Sequence, residues 1–370
     1  MTLLFSPKAL RSLTLPNRIV VAPMCQYSAE EGRATSWHNV HLGSLALSGA
    51  GMVTIEATAV TPDGRITPRD LGLWDDATEA ALARTLGAVR EVSNTPIAMQ
   101  LGHAGRKASS HVPWEGGQLI PPAEGGWTVF APSALPQKEG EAAPVALDEA
   151  GLVRIREAFA ATARRAARLG IDGVEVHAAH GYLLHQFLSP ISNQRQDSYG
   201  GALENRMRFP LEVFEAVRAA FPAERPVGIR ISASDWLPEG WDVEQSIAFV
   251  TALKQRGLDW VSVSSGGISP RQQIKLGPNY QVPFAQAIKA ATGVATMVAG
   301  LITEPRQAEE IIAARQADFV AIARGMLFDP RWGWHAAAAL GASVAAPPQY
   351  WRAAPHEHKE LFSNAVFGTR

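Results

Sequence analysis

A single cysteine, Cys25, stands among the 370 residues. That excludes an internal disulfide and an iron–sulfur cluster held by four cysteines of this chain. No apolar run approaches the roughly 20 residues that a membrane-spanning helix needs. The first ten residues lack a basic start followed by a long apolar stretch, so no signal peptide is expected. An excess of either charge is also missing. Lys plus Arg number 34 against 35 for Asp plus Glu, a net charge of -1, and no basic run stands out. A dedicated nucleic-acid surface is therefore not expected. There is no internal repeat beyond a βα period, no low-complexity tract and no linker. What is present is a 46% hydrophobic chain, ample for one large core. These features predict a soluble, cytoplasmic protein with a single domain over residues 1–370.

Short Val/Ile-rich runs alternate with Ala/Leu/Arg segments of helical period. Eight strands are expected, at 18–23, 52–57, 96–101, 171–177, 226–231, 259–264, 295–299 and 318–323. Helices are expected between them, such as 148–169 and 204–221. The first of these places Leu152, Ile155, Phe159 and Ala163 on one face, with Asp148 as N-cap and Gly170 as stop. Nearly continuous apolar strands separated by helices imply a covered parallel sheet. The economical form is an α/β fold of one (β/α)8 TIM barrel. Two regions break the period. Residues 1–17 read as an N-terminal hairpin. The 104–147 loop after the third strand holds Trp114 and Trp127 and is too long for an ordinary connection, so it is expected over the active site. The Ala-rich segment after Trp334 reads as a helix ended by Pro347 and Pro348, and the tail 347–370 follows.

In such barrels chemistry sits at the carboxyl ends of the strands. The fourth strand ends in His177, Ala178, Ala179, His180, Gly181 and Tyr182. Imidazoles can donate to a carbonyl oxygen, and a phenol can donate a proton. Either His alone reads equally as a satisfied structural residue, and a zinc site would need a third ligand that is not nearby. Other strand ends carry Pro23, Met24, Cys25, Gln26 and Tyr27, then Ala57, then Gln100, then Arg230, then Ala299 and Gly300, and last Ala323, Arg324 and Gly325. Gln100 or Arg230 could simply bridge strands, and Gly300 could be a tight turn. Phosphate sites in these barrels commonly follow the seventh and eighth strands, where Arg324 and Gly325 lie. With Gln100 and Arg230 further round the mouth, they describe a flat polar cofactor.

Pro23-Met24-Cys25-Gln26-Tyr27, His103-Ala104-Gly105-Arg106-Lys107-Ala108-Ser109, His177-Ala178-Ala179-His180-Gly181-Tyr182-Leu183, and the run from Asn193 through Gly201 to Phe209 resemble the Old Yellow Enzyme family of flavin-dependent ene-reductases. The resemblance covers nearly the whole chain, to about Arg352. Cys25 and Tyr27 resemble its thermophilic-like subclass, which includes xenobiotic reductases. The resemblance implies non-covalent FMN, reduced by NADPH or NADH, and hydride transfer to the β-carbon of an activated alkene. It implies that Pro23, Met24, Cys25, Gln26, Ala57, Gln100 and Arg230 line the isoalloxazine. Ala299, Gly300, Ala323, Arg324 and Gly325 would hold the phosphate end. His177 and His180 would bind the substrate carbonyl, Tyr182 would give the proton, and Tyr27 would shape the pocket. Lys107 matches a lysine near the flavin. Arg352 would reach a neighbouring subunit's pocket, so a homodimer or homotetramer acting on enone-type substrates is expected, with no metal, membrane or nucleic acid involved. Arg230 would favour the anionic reduced flavin. Two departures stand out: Ala202 in place of a common serine, and Ala299 where xenobiotic reductases can carry Trp, which predicts a wider pocket. A larger dienoyl-CoA reductase relative would need cluster cysteines. A zinc or Schiff-base barrel, and a non-catalytic binding protein, are the other readings.

Overall fold

The computed structural model describes residues 2–366, so the last four residues of the expected tail lie outside the described residues. Its strands are β1 (Lys8–Leu10), β2 (Leu13–Leu15), β3 (Ile19–Val21), β4 (Met52–Ala59), β5 (Ile97–Gly102), β6 (Phe130–Ala131), β7 (Val145–Ala146), β8 (Gly173–Ala178), β9 (Val227–Ser232), β10 (Trp260–Ser264), β11 (Ala295–Val298) and β12 (Phe319–Ile322). Its helices are α1 (Ser36–Ala46), α2 (Asp76–Val92), α3 (Glu149–Arg168), α4 (Leu183–Leu188), α5 (Leu203–Ala220), α6 (Val243–Lys254), α7 (Val282–Thr292), α8 (Pro305–Ala313), α9 (Arg324–Phe328) and α10 (Trp332–Leu340). Strands β3, β4, β5, β8, β9, β10, β11 and β12 close into a parallel barrel, each expected strand appearing in its place.

Alternation along the strands separates two layers. Val174, Val176, Ile229, Val261 and Val263 join Phe159 and Ala163 of α3 in the large core between barrel and helices. The residues between them point into the barrel. A second cluster closes its amino-terminal end, where Leu10 and Leu15 of the β1–β2 hairpin pack with Met52, Trp260 and Phe319. Above this plug Glu175 is almost fully buried. It accepts from Gln100 Nε2 at 2.7 Å, from Trp260 Nε1 at 3.2 Å and from Ser262 Oγ. A buried carboxylate with several donors is satisfied rather than stranded, and it ties β5, β8 and β10 together beneath the mouth.

Helix α3 begins as the sequence indicates. Asp148 Oδ1 accepts from Gly151 N at 2.8 Å, and Leu152, Ile155, Phe159 and Ala163 are all buried. The C-terminal helix differs from expectation. α10 starts at Trp332 and ends at Gly341, whose φ of 63° breaks the helix well before Pro347. Residues after it fold back on α10: Trp334 meets Phe362 at 5.0 Å and Tyr350 at 5.7 Å, edge-on. The tail is therefore packed on its own chain at Tyr350 and Phe362.

Candidate active site

Two residues past Glu175, β8 places His177 at the mouth. The backbone then turns through His180 (φ 58°) and Gly181 (φ 75°). A Cβ on Gly181 would lie 2.1 Å from the Gly267 carbonyl oxygen, so glycine is required there on both conformation and space. The turn is braced from several directions. His185 Nδ1 accepts from Gly181 N at 2.9 Å, and Gln186 Nε2 donates to Gly181 O at 2.7 Å. His185 Nε2 faces Asp235 Oδ1 at 2.9 Å, with both side chains buried. Lys107 Nζ donates to His180 O at 2.8 Å and to Gly267 O at 3.3 Å. Burial, and then Arg106, pull this ammonium down to about 8. Lys107 thus clamps the turn to the loop after β10, a role its motif alone does not reveal.

His180 Nδ1 lies 3.2 Å from His177 Nε2. The Tyr182 ring sits 4.7 Å from the His177 ring, tilted by 47°. Burial, and then Arg230, hold both imidazoles well below their ordinary range, so they are neutral. The Tyr182 phenol does not sit at its ordinary value: burial, reinforced by Cys25, pushes it well up. It stays protonated at every working pH. Cys25 is raised in the same way, by burial and then Asp70. Asp70 itself is pushed up to about 7 by burial, and with Ala57, His103 and Tyr182 it lines a small cavity. Tyr27 adopts φ 51° and meets Trp114 of the 104–147 loop edge-on at 5.6 Å.

Pro23, Arg230 and Ala299 line a cavity inside the mouth that Glu175 also reaches. Among the described residues no hydrogen bond or ion pair reaches the Arg230 guanidinium, although burial depresses it and Glu175 works in opposition. Gly300 has φ 130°, and Arg324 is exposed at the start of α9, which follows the last barrel strand. Gln26 differs from the other expected cofactor residues. Its N–H donates to Glu56, its carbonyl accepts from Ser28, and its amide is shared between Met24 O and Trp37. It shapes its loop from within. Arg352 is not brought to the mouth of its own chain. Residues 343–348 of the segment leading to it line a groove with Pro16, Asn17 and Pro96, at the opposite end of the barrel.

Sequence reading missed Ser232, Ser264 and Gln281. His180 N donates to Ser232 Oγ at 2.9 Å, and His180 Nε2 lies 2.8 Å from Ser264 Oγ. Ser264 closes the sixth barrel strand, at whose end no residue stood out in the sequence. Among the described residues no group of three or more His, Cys, Asp or Glu could hold a metal ion, and no helix is long and apolar enough to cross a membrane.

Against known proteins, the profile of the NADH:flavin oxidoreductase / NADH oxidase family matches residues 3–341. The NADPH dehydrogenase of Geobacillus thermodenitrificans is 44% identical over 353 residues, covering 95% of this chain and 98% of its own. That of Bacillus subtilis is 40% identical over 351 residues, covering 94% and 98%. Among solved structures, morphinone reductase superposes with a TM-score of 0.75 at 30% identity, covering 94% of this chain and 91% of its own.

Proposed function

The chain belongs to the NADH:flavin oxidoreductase / NADH oxidase family, and from that premise we propose FMN-dependent reduction of the C=C bond of α,β-unsaturated carbonyl compounds, with NADPH or NADH as the electron source. The observation that carries this reading is the mouth of the barrel. Two neutral imidazole nitrogens face one another 3.2 Å apart, with a protonated phenol 4.7 Å from one ring. That set suits an oxygen that gains negative charge and a neighbouring carbon that must gain a proton.

The residues present fit FMN. A half-buried guanidinium that no hydrogen bond or ion pair reaches among the described residues, Arg230, suits an electron-rich ring edge. Pro23, Met24, Cys25, Ala57 and Gln100 would line its ring, and Ala299, Gly300, Ala323, Arg324 and Gly325 would hold the phosphate end. Bound there, FMN would supply hydride chemistry, from the nicotinamide to the alkene carbon β to the carbonyl. His177 and His180 hold the carbonyl oxygen and spread the charge that grows there. Tyr182 gives its proton to the adjacent carbon. Tyr27 and Trp114 form the outer wall. Arg352 would serve the mouth of a second copy, since within one chain its segment lies at the far end of the barrel.

The purified protein should be yellow and release FMN on denaturation. NADPH should bleach it anaerobically, and 2-cyclohexenone should restore the colour with formation of cyclohexanone. A protein that takes up no flavin, or whose bleached form is not reoxidised by enones, maleimides or nitroalkenes, contradicts the reading.

A further inference from the structure

A run of hydrogen bonds crosses the candidate site with both ends fixed. Ala179 N, which can only donate, lies 3.1 Å from His177 Nδ1. At the other end Ala299 O, which can only accept, takes a bond from Gln281 Nε2 at 2.8 Å. Between them lie His177 Nε2 to His180 Nδ1 at 3.2 Å, His180 Nε2 to Ser264 Oγ at 2.8 Å, and Ser264 Oγ to Gln281 Oε1 at 3.2 Å. Each neutral imidazole has one N–H and one acceptor nitrogen. The backbone donor makes His177 Nδ1 the acceptor, so its proton is on Nε2 and points at His180 Nδ1. His180 then carries its proton on Nε2 and donates to Ser264. Ala299 fixes the Gln281 amide with its oxygen toward Ser264, which donates to it. Only this direction satisfies every member.

At rest, then, the pair offers no second donor: the His177 proton is spent on His180, and the His180 proton faces away. Binding a carbonyl oxygen through both rings needs a proton on His180 Nδ1. We propose that Ser264 is the positioning residue that reverses the His180 tautomer when substrate binds. Its hydroxyl turns from Gln281 to donate to His180 Nε2, and Nδ1 takes up the proton. The proton count is unchanged, because one proton leaves Nε2 and one arrives at Nδ1 by exchange with solvent at the mouth. Ser265 makes the reversal easy. Its Oγ donates to the same Gln281 Oε1 at 2.8 Å, so that oxygen keeps a partner while Ser264 turns away. The identity of the ligand rests on the ene-reductase reading above; the resting proton order does not.

The test is nitrogen NMR of the holoenzyme with 15N-labelled histidine, read through long-range proton–nitrogen correlations. In the free oxidised enzyme His180 should be protonated at Nε2 and bare at Nδ1. Adding 2-cyclohexenone to the oxidised enzyme should move the proton to Nδ1 and leave His177 unchanged. Ser264→Ala should weaken enone binding about tenfold, the loss of one hydrogen bond, with Ser264→Thr restoring it. Ser265→Ala should keep the resting order and still weaken the enone. A His180 already protonated at Nδ1 without ligand, or one that stays at Nε2 with enone bound, overturns the proposal, and the unsubstituted protein suffices for that measurement. If enones neither bind nor are reduced, the proposed function fails, while the resting tautomer remains a separate and decisive reading of the proton order.

Discussion

The two sides of the barrel mouth are built differently. On the side of β8, β9 and β10, both nitrogens of His177 and of His180 have hydrogen-bonding partners within the chain. The turn carrying them is held by His185, Gln186 and Lys107. On the side after β11 and β12, Gly300 sits at φ 130° and Arg324 is exposed. Among the described residues no hydrogen bond or ion pair involves the Arg324 side chain, and the same holds for Arg230 deeper in the mouth. Groups that must meet a transient ligand are preset by the fold, because orientation fixed beforehand need not be bought at binding. Groups suited to a resident cofactor keep open donors that the cofactor would complete.

Among changes to the histidine pair, a large effect is expected from His177→Ala. It removes one of two donors to the carbonyl oxygen, and alkene reduction should fall on the order of 10²–10³. Steady-state turnover of 2-cyclohexenone measures it, and reduction of the protein by NADPH should be nearly unchanged. Gly181→Ala breaks the turn itself. A Cβ at 2.1 Å from Gly267 O cannot be relieved by a flexible side chain, so stability should drop by about 3 kcal/mol or more. Denaturant unfolding reports that loss.

Acid should act on the fold through His103, just past β5. Burial holds this imidazole down to about 4, below the roughly 6.5 of an unfolded chain. Between those values the unfolded state binds a proton that the folded state does not. The contribution is present above pH 6.5 and is lost as pH falls toward 4, on the order of 3 kcal/mol in all. His103→Gln should flatten that part of the stability profile.

On the open side the expected effect is smaller and of another kind. Arg324→Ala should weaken FMN binding by roughly 2 kcal/mol and leave the fold intact, as flavin titration of the apoprotein would show. An equal loss of stability would erase the distinction between the two sides. Smallest is Trp114→Ala. This exposed ring meets Tyr27 edge-on, a pairing worth about 0.5–1.5 kcal/mol, so KM for the enone should shift severalfold at most while kcat holds.

Most of the barrel was legible in the chain because buried parallel strands read as short apolar runs and their helices as periodic ones. That His177, His180, Tyr182 and Arg324 lie at or just past the ends of barrel strands was legible, because the barrel pattern itself marks where each strand ends. Ser264 was not, because a serine is ordinary at a strand end and only the 2.8 Å approach of His180 gives it meaning. The phenol of Tyr182 could not be placed above its usual value without the burial around it. The early end of α10 at Gly341 went unread because alanines on both sides continue a helical pattern. The neighbour proposed for Arg352 is likewise a matter of assembly, which a single chain does not contain.

The most direct test of the central claim, that the preset side delivers a proton to the alkene, is stopped-flow measurement of both half-reactions in Tyr182→Phe holoenzyme. The ring is kept and only the proton is lost. Reduction by NADPH should proceed within about twofold of the parent, while reoxidation by 2-cyclohexenone should slow on the order of 10²–10⁴. Equal slowing of both halves, or of neither, would contradict the account.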